Sequence, residues 1–210
     1  KLPKTFSQLK KNVLIIMTNH FVNLVSWRYF IKKHSDKRNI FIDSLSLYFC
    51  CRLFGFSTKK TSGVYFFHNN IDIENSIFLL SEGNNLFKNN IILPFWKSID
   101  EISLDNLLIQ KIEAYEYIVI GISSPKQDYL ADLINDLYPE KNIFCLGAAV
   151  YTSSNNLRSD KLSLNWFSMM LNDFNRFKEK IRITIKEFLL IIFISKSREN
   201  FKFFLKNLKN

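Results

Sequence analysis

A strand runs directly into a helix in the stretch Tyr117-Ile-Val-Ile-Gly121-Ile-Ser-Ser-Pro-Lys-Gln127-Asp128. Its apolar, β-branched first half predicts a buried strand. Ser124 suits a helix N-cap and Pro125 a first helical position, and Gln127 then completes a capping box of the Ser-x-x-Gln type. A helix N-terminus at the end of a buried strand is also an anion site, with Lys126 beside it. The stretch therefore leaves two interpretations of Gln127, a helix cap or a contact to a ligand.

Strands and helices alternate along most of the chain. We predict strands at residues 12–17, 39–42, 76–80, 117–122 and 142–146, and helices at residues 21–33, 45–54, 105–114 and 125–138. Strands that are joined by helices pair in parallel through right-handed crossovers. The sequence thus predicts an α/β fold, a Rossmann-like parallel sheet flanked by helices. Active sites of such sheets lie at the carboxyl ends of the strands.

Basic residues are concentrated near the end of the chain, where we predict only helices, at residues 162–172, 176–194 and 198–208. Residues 175–210 contain ten Lys and Arg residues against three Glu residues. We therefore divide the chain into an α/β catalytic core, residues 1–160, and a helical, basic C-terminal appendage, residues 161–210. Basic residues interleaved with Phe and Leu fit helices that lie in the plane of an anionic membrane. A solvated helix face is the simpler alternative.

Composition and charge exclude several classes of protein. The 210 residues are 47% hydrophobic and carry a formal net charge of +10, as expected of a globular protein with an anionic partner. No helix-turn-helix, RNP or zinc pattern accompanies the charge, so we expect no nucleic acid partner. Cys50, Cys51 and Cys145 have neither disulfide-framework nor metal-ligand spacing, which indicates a reducing compartment and no metal site. The longest charge-free apolar run has seven residues, whereas a membrane-spanning helix needs about 20.

Polar residues also follow two other predicted strands. Asp43 comes directly after one strand and before the helix predicted at residues 45–54. It could cap that helix or act as a general base on a substrate hydroxyl. Thr18 and Asn19 follow the first strand, where they could cap a helix or hydrogen-bond a ligand. Both positions belong to the carboxyl edge of the predicted sheet.

A series of short segments adds to these patterns. In chain order they are Thr18-Asn19, Asp43, Arg52-Leu-Phe-Gly55, Ser62-Gly63, Ile77-Phe-Leu-Leu-Ser81 with Gly83, Gly121 to Asp128, Gly147-Ala-Ala149, and Leu164-Asn-Trp166 leading into Arg176. Together they resemble the WecG/TagA/CpsF family of bacterial glycosyltransferases over residues 12–185. Pro125-Lys126-Gln127-Asp128, in its strand-to-helix context, is the most specific of them.

This resemblance implies an activity and a set of site residues. The activity is the inverting, metal-independent transfer of a hexosamine-type sugar from a UDP-sugar to a polyprenyl-diphosphate-linked sugar, in surface polysaccharide or cell-wall glycopolymer synthesis. The enzyme would be cytoplasmic and peripheral at the inner face of the bacterial membrane, and the C-terminal helices would contact that anionic surface. Asp43 would be the general base. The substrate-binding residues would be Thr18, Asn19, Gly63, Gly121, Pro125, Lys126, Gln127, Gly147, Arg176 and Arg182. No cofactor is implied. The oligomeric state stays open, and a homo-oligomer is one possibility.

The chain also departs from the family pattern. Ser44 stands where Gly is common, Met17 where Thr is common, and Tyr151 follows the Gly-Ala-Ala run where an Asp is usual. Met169 replaces an Arg of the closing motif. These departures favour an alternative function, a catalytically degenerate member that docks on a membrane or a partner enzyme without turnover.

Overall fold

The computed structural model describes residues 14–18, 38–43, 45–53, 55, 57, 60–81, 87–123, 126–147 and 149–154. It also describes positions 174, 175, 178, 181, 182, 185, 189, 193 and 199, all of which are helical. The helices predicted at residues 21–33, 162–172 and 198–208 lie outside the described ranges, apart from helical position 199.

Within the described ranges, six parallel strands form a single sheet. In chain order they are β1 Leu14–Thr18, β2 Arg38–Ile42, β3 Ser76–Leu80, β4 Asn90–Ile92, β5 Tyr117–Gly121 and β6 Asn142–Cys145. Their order across the sheet is β2-β1-β6-β5-β3-β4. The register pairs Thr18 with Ile42 and Leu80 with Gly121, so the carboxyl ends of these strands lie along one edge.

Five helices connect or follow the strands within the described ranges. They are α1 Leu45–Leu53, α2 Gly63–Asn70, α3 Asn106–Glu113, α4 Lys126–Leu137 and α5 Ala149–Ser154, and a short 3₁₀ turn covers Ile99–Glu101. Local signals explain several of their ends. Asp105 Oδ1 accepts a hydrogen bond of 2.7 Å from the Leu108 N–H and so caps α3. Gly55 follows α1 with φ +80°, a conformation that glycine adopts without strain.

Helices cover both faces of the sheet. Successive residues of a strand point to opposite faces, so Ile77 and Leu79 of β3 belong to one core and Phe78 and Leu80 to the other. Side chains of α1, α3 and α4 complete the first core. Side chains of α2 and α5 complete the second. The predicted α/β fold, a parallel sheet flanked by helices, is therefore confirmed.

Agreement with the predicted elements is closest where a strand or helix has its own local signal. The strand at residues 76–80 is confirmed at both ends, and the helix predicted at residues 105–114 corresponds to α3 with its two caps. The pattern failed to predict α2, the three-residue β4 and α5. β4 has three residues and α5 has six, too few to leave a clear period in the sequence. α2 has eight residues, but most of them, such as Gly, Val, Phe and Asn, have low helix propensity.

Candidate functional site

A crevice is expected where the chain leaves two neighbouring strands in opposite directions. After β5 the chain enters α4, which packs on the first core, and after β6 it enters α5, which packs on the second. Since β5 and β6 are adjacent and parallel, their carboxyl ends form a topological switch point of the sheet. Ligands of open α/β sheets bind at such points. The candidate site is therefore at the ends of β5 and β6.

Gln127, in the first turn of α4, belongs to this candidate site at the ends of β5 and β6. The side chain is only 3% exposed, and its Oε1 atom accepts no hydrogen bond within the described part of the chain. Gly147 follows β6 with φ +54°, and a Cβ atom added there would lie 3.5 Å from Gln127 Oε1. A buried acceptor without a partner costs about 1–3 kcal/mol. Such a group is suited to pairing with a hydroxyl or N–H of a ligand.

The predicted capping box falls partly on residues that the structure does not describe. Ser124 and Pro125, its predicted N-cap and first helical residue, lie outside the described residues. The Gln127 N–H donates to the Ser123 carbonyl at 3.3 Å, and Gln127 Oε1 accepts no hydrogen bond within the described part of the chain. The described residues therefore show no capping-box bond from the Gln127 side chain, and the cap at Ser124 stays a prediction.

Asp43 lies at the carboxyl end of β2, against the start of α2. The Thr61 N–H donates to the Ile42 carbonyl at 2.8 Å, which brings the chain back to the strand end just before α2 begins. A Cβ atom added to Gly63 would lie 3.3 Å from Asp43 Oδ2. The half-buried carboxylate thus faces the first turn of an eight-residue helix, where the helix dipole favours a negative charge.

The first turn of α5 joins these two parts of the site. Ala149 packs on Gly63, since a Cβ atom added to Gly63 would lie 2.9 Å from Ala149 Cβ. Val150 packs on Gly121 at the end of β5, and Tyr151 reaches the end of β3. The Tyr151 hydroxyl accepts a hydrogen bond of 2.8 Å from the Ser81 N–H and lies 3.1 Å from Ser81 Oγ. One turn of helix therefore contacts the carboxyl ends of β3 and β5 and the start of α2.

The three described glycines of the predicted site have a packing role that the sequence did not reveal. At Gly121 an added Cβ atom would lie 2.7 Å from Leu80 Cδ2, and at Gly63 the neighbour is Ala149. Both glycines allow α5 to approach the sheet and α2 closely. Gly147 has a left-handed backbone conformation that makes the turn into α5.

Lys126, the first residue of α4, is directed toward the segment after β4. Its ammonium group donates to the Trp96 carbonyl and lies 5.2 Å from the centroid of the Phe95 ring. The positive charge therefore remains near the start of α4, while its hydrogen bond holds the segment that contains Phe95.

The remaining predicted site residues are described only in part. Thr18 ends β1 next to Ile42, on the same edge as Asp43. Arg182 is helical and exposed. Asn19, Pro125 and Arg176 lie outside the described residues. Ser81 was not predicted as a site residue, although a polar residue that directly follows a buried strand was a usable signal.

Within the described ranges no cluster of His, Cys, Asp or Glu could hold a metal ion. Cys51 and Cys145 are buried, and neither forms a disulfide bond within the described residues. None of the helices in the described part of the chain is long and apolar enough to cross a membrane. Comparisons with protein-family models, with curated proteins and with solved structures found no match for this chain.

Proposed function

We propose that this chain is a glycosyltransferase with a Rossmann-like core that moves a hexosamine-type sugar from a UDP-sugar to a polyprenyl-diphosphate-linked sugar. The observation that supports it best is the arrangement around α5. A half-buried carboxylate, Asp43, and a buried amide oxygen without a partner, on Gln127, belong to the same carboxyl edge of a parallel sheet. This edge is where such sheets bind their ligands.

In the proposed reaction, Asp43 is the general base. It takes the proton of an acceptor hydroxyl while that oxygen forms a bond to the anomeric carbon of the donor sugar. The bond from the anomeric carbon to the UDP oxygen breaks at the same time, so UDP leaves and the configuration inverts. A sugar hydroxyl or acetamido N–H of the donor would pair with Gln127 Oε1.

The donor diphosphate needs positive charge around it. The N-terminus of the 12-residue α4 supplies N–H groups and a favourable dipole at the switch point, beside Gln127. In the proposed enzyme, Arg176 and Arg182 add cationic groups to the departing UDP. This proposal needs no metal ion.

A lipid-linked acceptor requires an enzyme that reaches the bilayer. The helical positions described after residue 173 include four exposed apolar side chains: Phe174, Ile185, Leu189 and Phe193. Exposed Lys178 and Arg182 accompany them. Such a combination supports the proposal that the C-terminal helices dock on an anionic membrane at the cytoplasmic face.

The deciding experiment is a screen of UDP-sugars against a lipid-diphosphate acceptor analogue, with UDP release as the readout. Once a donor is found, Asp43→Asn should lower turnover by about 10²- to 10⁴-fold, the usual contribution of a positioned base. The matched control is Asp105→Asn. Asp105 caps α3 through its side chain, and since Asn caps about as well as Asp, that variant should keep wild-type turnover and stability.

Near-normal turnover of Asp43→Asn would remove Asp43 from the proposed mechanism. If none of the UDP-sugars in the screen gives UDP release, that result would contradict the proposed glycosyltransferase activity itself.

A second candidate function is a docking module without turnover, and one contact favours it. Tyr151 stands where the family usually has Asp, and its hydroxyl is hydrogen-bonded to Ser81 at the end of β3. If this substitution has ended catalysis, the protein should bind UDP or anionic vesicles and yet release no UDP from any UDP-sugar. The same screen, combined with binding measurements, separates the two functions.

A further inference from the structure

The segment after β4 holds one aromatic side chain in an unusual position. Phe95 is 85% exposed, although Leu93 and Trp96 on either side of it are buried in the first core. The segment is thus anchored at both ends, and Pro94 and the Phe95 ring between the anchors face solvent. An exposed large aromatic on an anchored segment is a feature of ligand sites as well as of interaction surfaces.

Lys126 connects this ring to the candidate site. Its ammonium group lies 5.2 Å from the ring centroid and donates to the Trp96 carbonyl, so the cation–π contact and the hydrogen bond act on the same short segment. Lys126 is also the first residue of α4, next to the buried Gln127. Phe95 therefore lies on the same side of the crevice as the start of α4. The Lys126 side chain lies between the ring and the helix start.

We propose that Phe95 is the stacking platform for the uracil ring of the donor, an assignment that rests on the proposed function of the chain. The diphosphate would bind at the start of α4, and the uridine would extend along Lys126 to the Phe95 ring. A nucleobase offers a flat π surface, and stacking on an aromatic side chain does not require hydrogen bonds to the base. Phe95 then determines the affinity for the nucleotide part of the donor and takes no part in the sugar transfer.

The charges around Phe95 favour a nucleotide over a lipid surface. Asp100 and Glu101 follow Phe95 closely, and Glu101 Oε2 accepts a hydrogen bond of 2.6 Å from the Lys97 N–H. Asp100 and Glu101 offset Lys97 and Lys126, so the surroundings of Phe95 have no net positive charge and are a poor match for an anionic bilayer. The positive charge of Lys126 is placed between the ring and the helix start, where a nucleotide phosphate would be.

The test measures the affinity of the full chain for UDP, uridine and inorganic diphosphate. Phe95→Ala should weaken UDP and uridine binding by about 10-fold, within the range found when a stacking aromatic is removed. It should leave inorganic diphosphate binding unchanged, whereas Phe95→Trp should keep UDP affinity within about 2-fold. Leu107→Ala, which removes an exposed apolar side chain from α3, is the matched control and should change none of these affinities. Thermal unfolding of all three variants checks that the fold is kept.

Four outcomes overturn the assignment. Unchanged UDP affinity in Phe95→Ala removes the stack while leaving the proposed glycosyltransferase intact. A loss that appears with a UDP-sugar but not with UDP or uridine assigns the ring to the sugar instead of the base. Unchanged nucleotide affinity together with weaker vesicle co-sedimentation assigns Phe95 to a membrane contact. If the wild-type chain binds no UDP at all, the proposed function fails together with this inference.

Discussion

At the scale of single residues, Gln127 carries an energetic cost that its fold does not require. Its Oε1 is buried without a hydrogen-bond partner in the described part of the chain. A similarly shaped apolar side chain would fill the same space without an unsatisfied acceptor. Proteins commonly keep such costs where function needs them. Gln127 is therefore a site where stability and activity should change in opposite directions.

Gln127→Met tests this trade-off. Met has about the same length and no polar oxygen, so the free energy of unfolding should rise by about 1 kcal/mol, the lower end of the penalty for an unsatisfied group. UDP-sugar affinity or turnover should fall in the same variant. Denaturant unfolding and the UDP-release assay give the two values. Gln110→Met, at an exposed position of α3, is the control and should alter neither. A destabilised Gln127→Met would show that the amide has a structural role.

At the scale of helices and strands, α5 is the element that holds the candidate site together. Its three first residues contact Gly63, Gly121 and Ser81, which belong to three different parts of the fold. The contact to Gly63 leaves the least freedom for adjustment. A Cβ atom added there would lie 2.9 Å from Ala149 Cβ, which cannot rotate away. Movement of α5 would change the distance between the Asp43 and Gln127 regions.

Gly63→Ala should therefore destabilise the protein by about 1–3 kcal/mol, as overpacking does in a close-packed core. The intrinsic helix propensity favours Ala over Gly by about 1 kcal/mol in a helix interior, but it offsets less at Gly63, because Gly63 is the first residue of α2. Combining Gly63→Ala with Ala149→Gly removes the clashing Cβ atom and should recover much of the lost stability. A double-mutant cycle from denaturant unfolding measures this coupling. Strict additivity of the two changes would contradict a direct contact.

The end of α3 depends on a lysine from a different part of the chain. Lys141 is only 7% exposed, and its ammonium group donates to the carbonyls of Ile112, Glu113 and Tyr115 at 3.0, 2.7 and 2.6 Å. These carbonyls lie at and just beyond the helix end, where a positive charge is also favoured by the dipole. The Ile112 carbonyl also accepts a hydrogen bond from the Tyr115 N–H at 3.2 Å, so the Glu113 and Tyr115 carbonyls depend most on Lys141. Lys141→Met should cost about 1–3 kcal/mol, because buried acceptors lose their partner. The exposed Lys111→Met is the control and should have little effect on unfolding.

Lys141 should also make stability depend on pH. Burial lowers the pKa of its ammonium group below the ordinary value of 10.5, and the nearby carboxylates of Glu140, Glu113 and Glu116 oppose this only in part. Between the lowered pKa and 10.5 the unfolded chain binds more protons than the folded chain, so the free energy of unfolding rises with pH. The stability difference between the wild type and Lys141→Met should therefore grow as pH rises through this window. A difference that stays constant or shrinks would contradict the lowered pKa.

At the scale of the whole molecule, charge and apolar surface are unevenly distributed. The chain has a net charge of +10, and its C-terminal part has most of this excess. In that part Leu189 and Phe193 are helical, four residues apart and exposed, Phe193 at 76%. Residues at this spacing lie on one side of a helix. In the proposed membrane docking, this pair would enter the bilayer surface while lysines and arginines contact the lipid headgroups.

The variant Leu189→Ser with Phe193→Ser should therefore co-sediment more weakly with anionic vesicles. Phe49→Ser with Leu53→Ser is a matched control. These two side chains are also exposed and four residues apart, but they belong to α1 and not to the C-terminal helices. Lys202→Ala with Lys206→Ala should weaken binding mainly at low salt, by about 1 kcal/mol per charge. Equal losses from the α1 pair and the C-terminal pair would show that the effect is general stickiness and not docking by the C-terminal helices.

The sequence by itself determined most of the local elements and the class of fold. The strand at residues 76–80 and the helix between Asp105 and Ala114 could be predicted almost to the residue, because their apolar period and their caps involve only neighbours along the chain. Asp43 and Gln127 could also be named as candidate site residues from the sequence, since each comes after a clearly predicted strand. Alternation of strands and helices was enough to predict a parallel sheet.

Only the tertiary structure decided which of these residues meet. The order β2-β1-β6-β5-β3-β4, the contact of α5 with Gly63 and Gly121, and the three carbonyls on Lys141 all join residues that are far apart in the chain. The burial of Gln127 Oε1 without a partner among the described residues also became clear only from the folded chain. Local patterns report the preferences of neighbouring residues, whereas pairing and burial depend on how the whole sheet and its helices pack together.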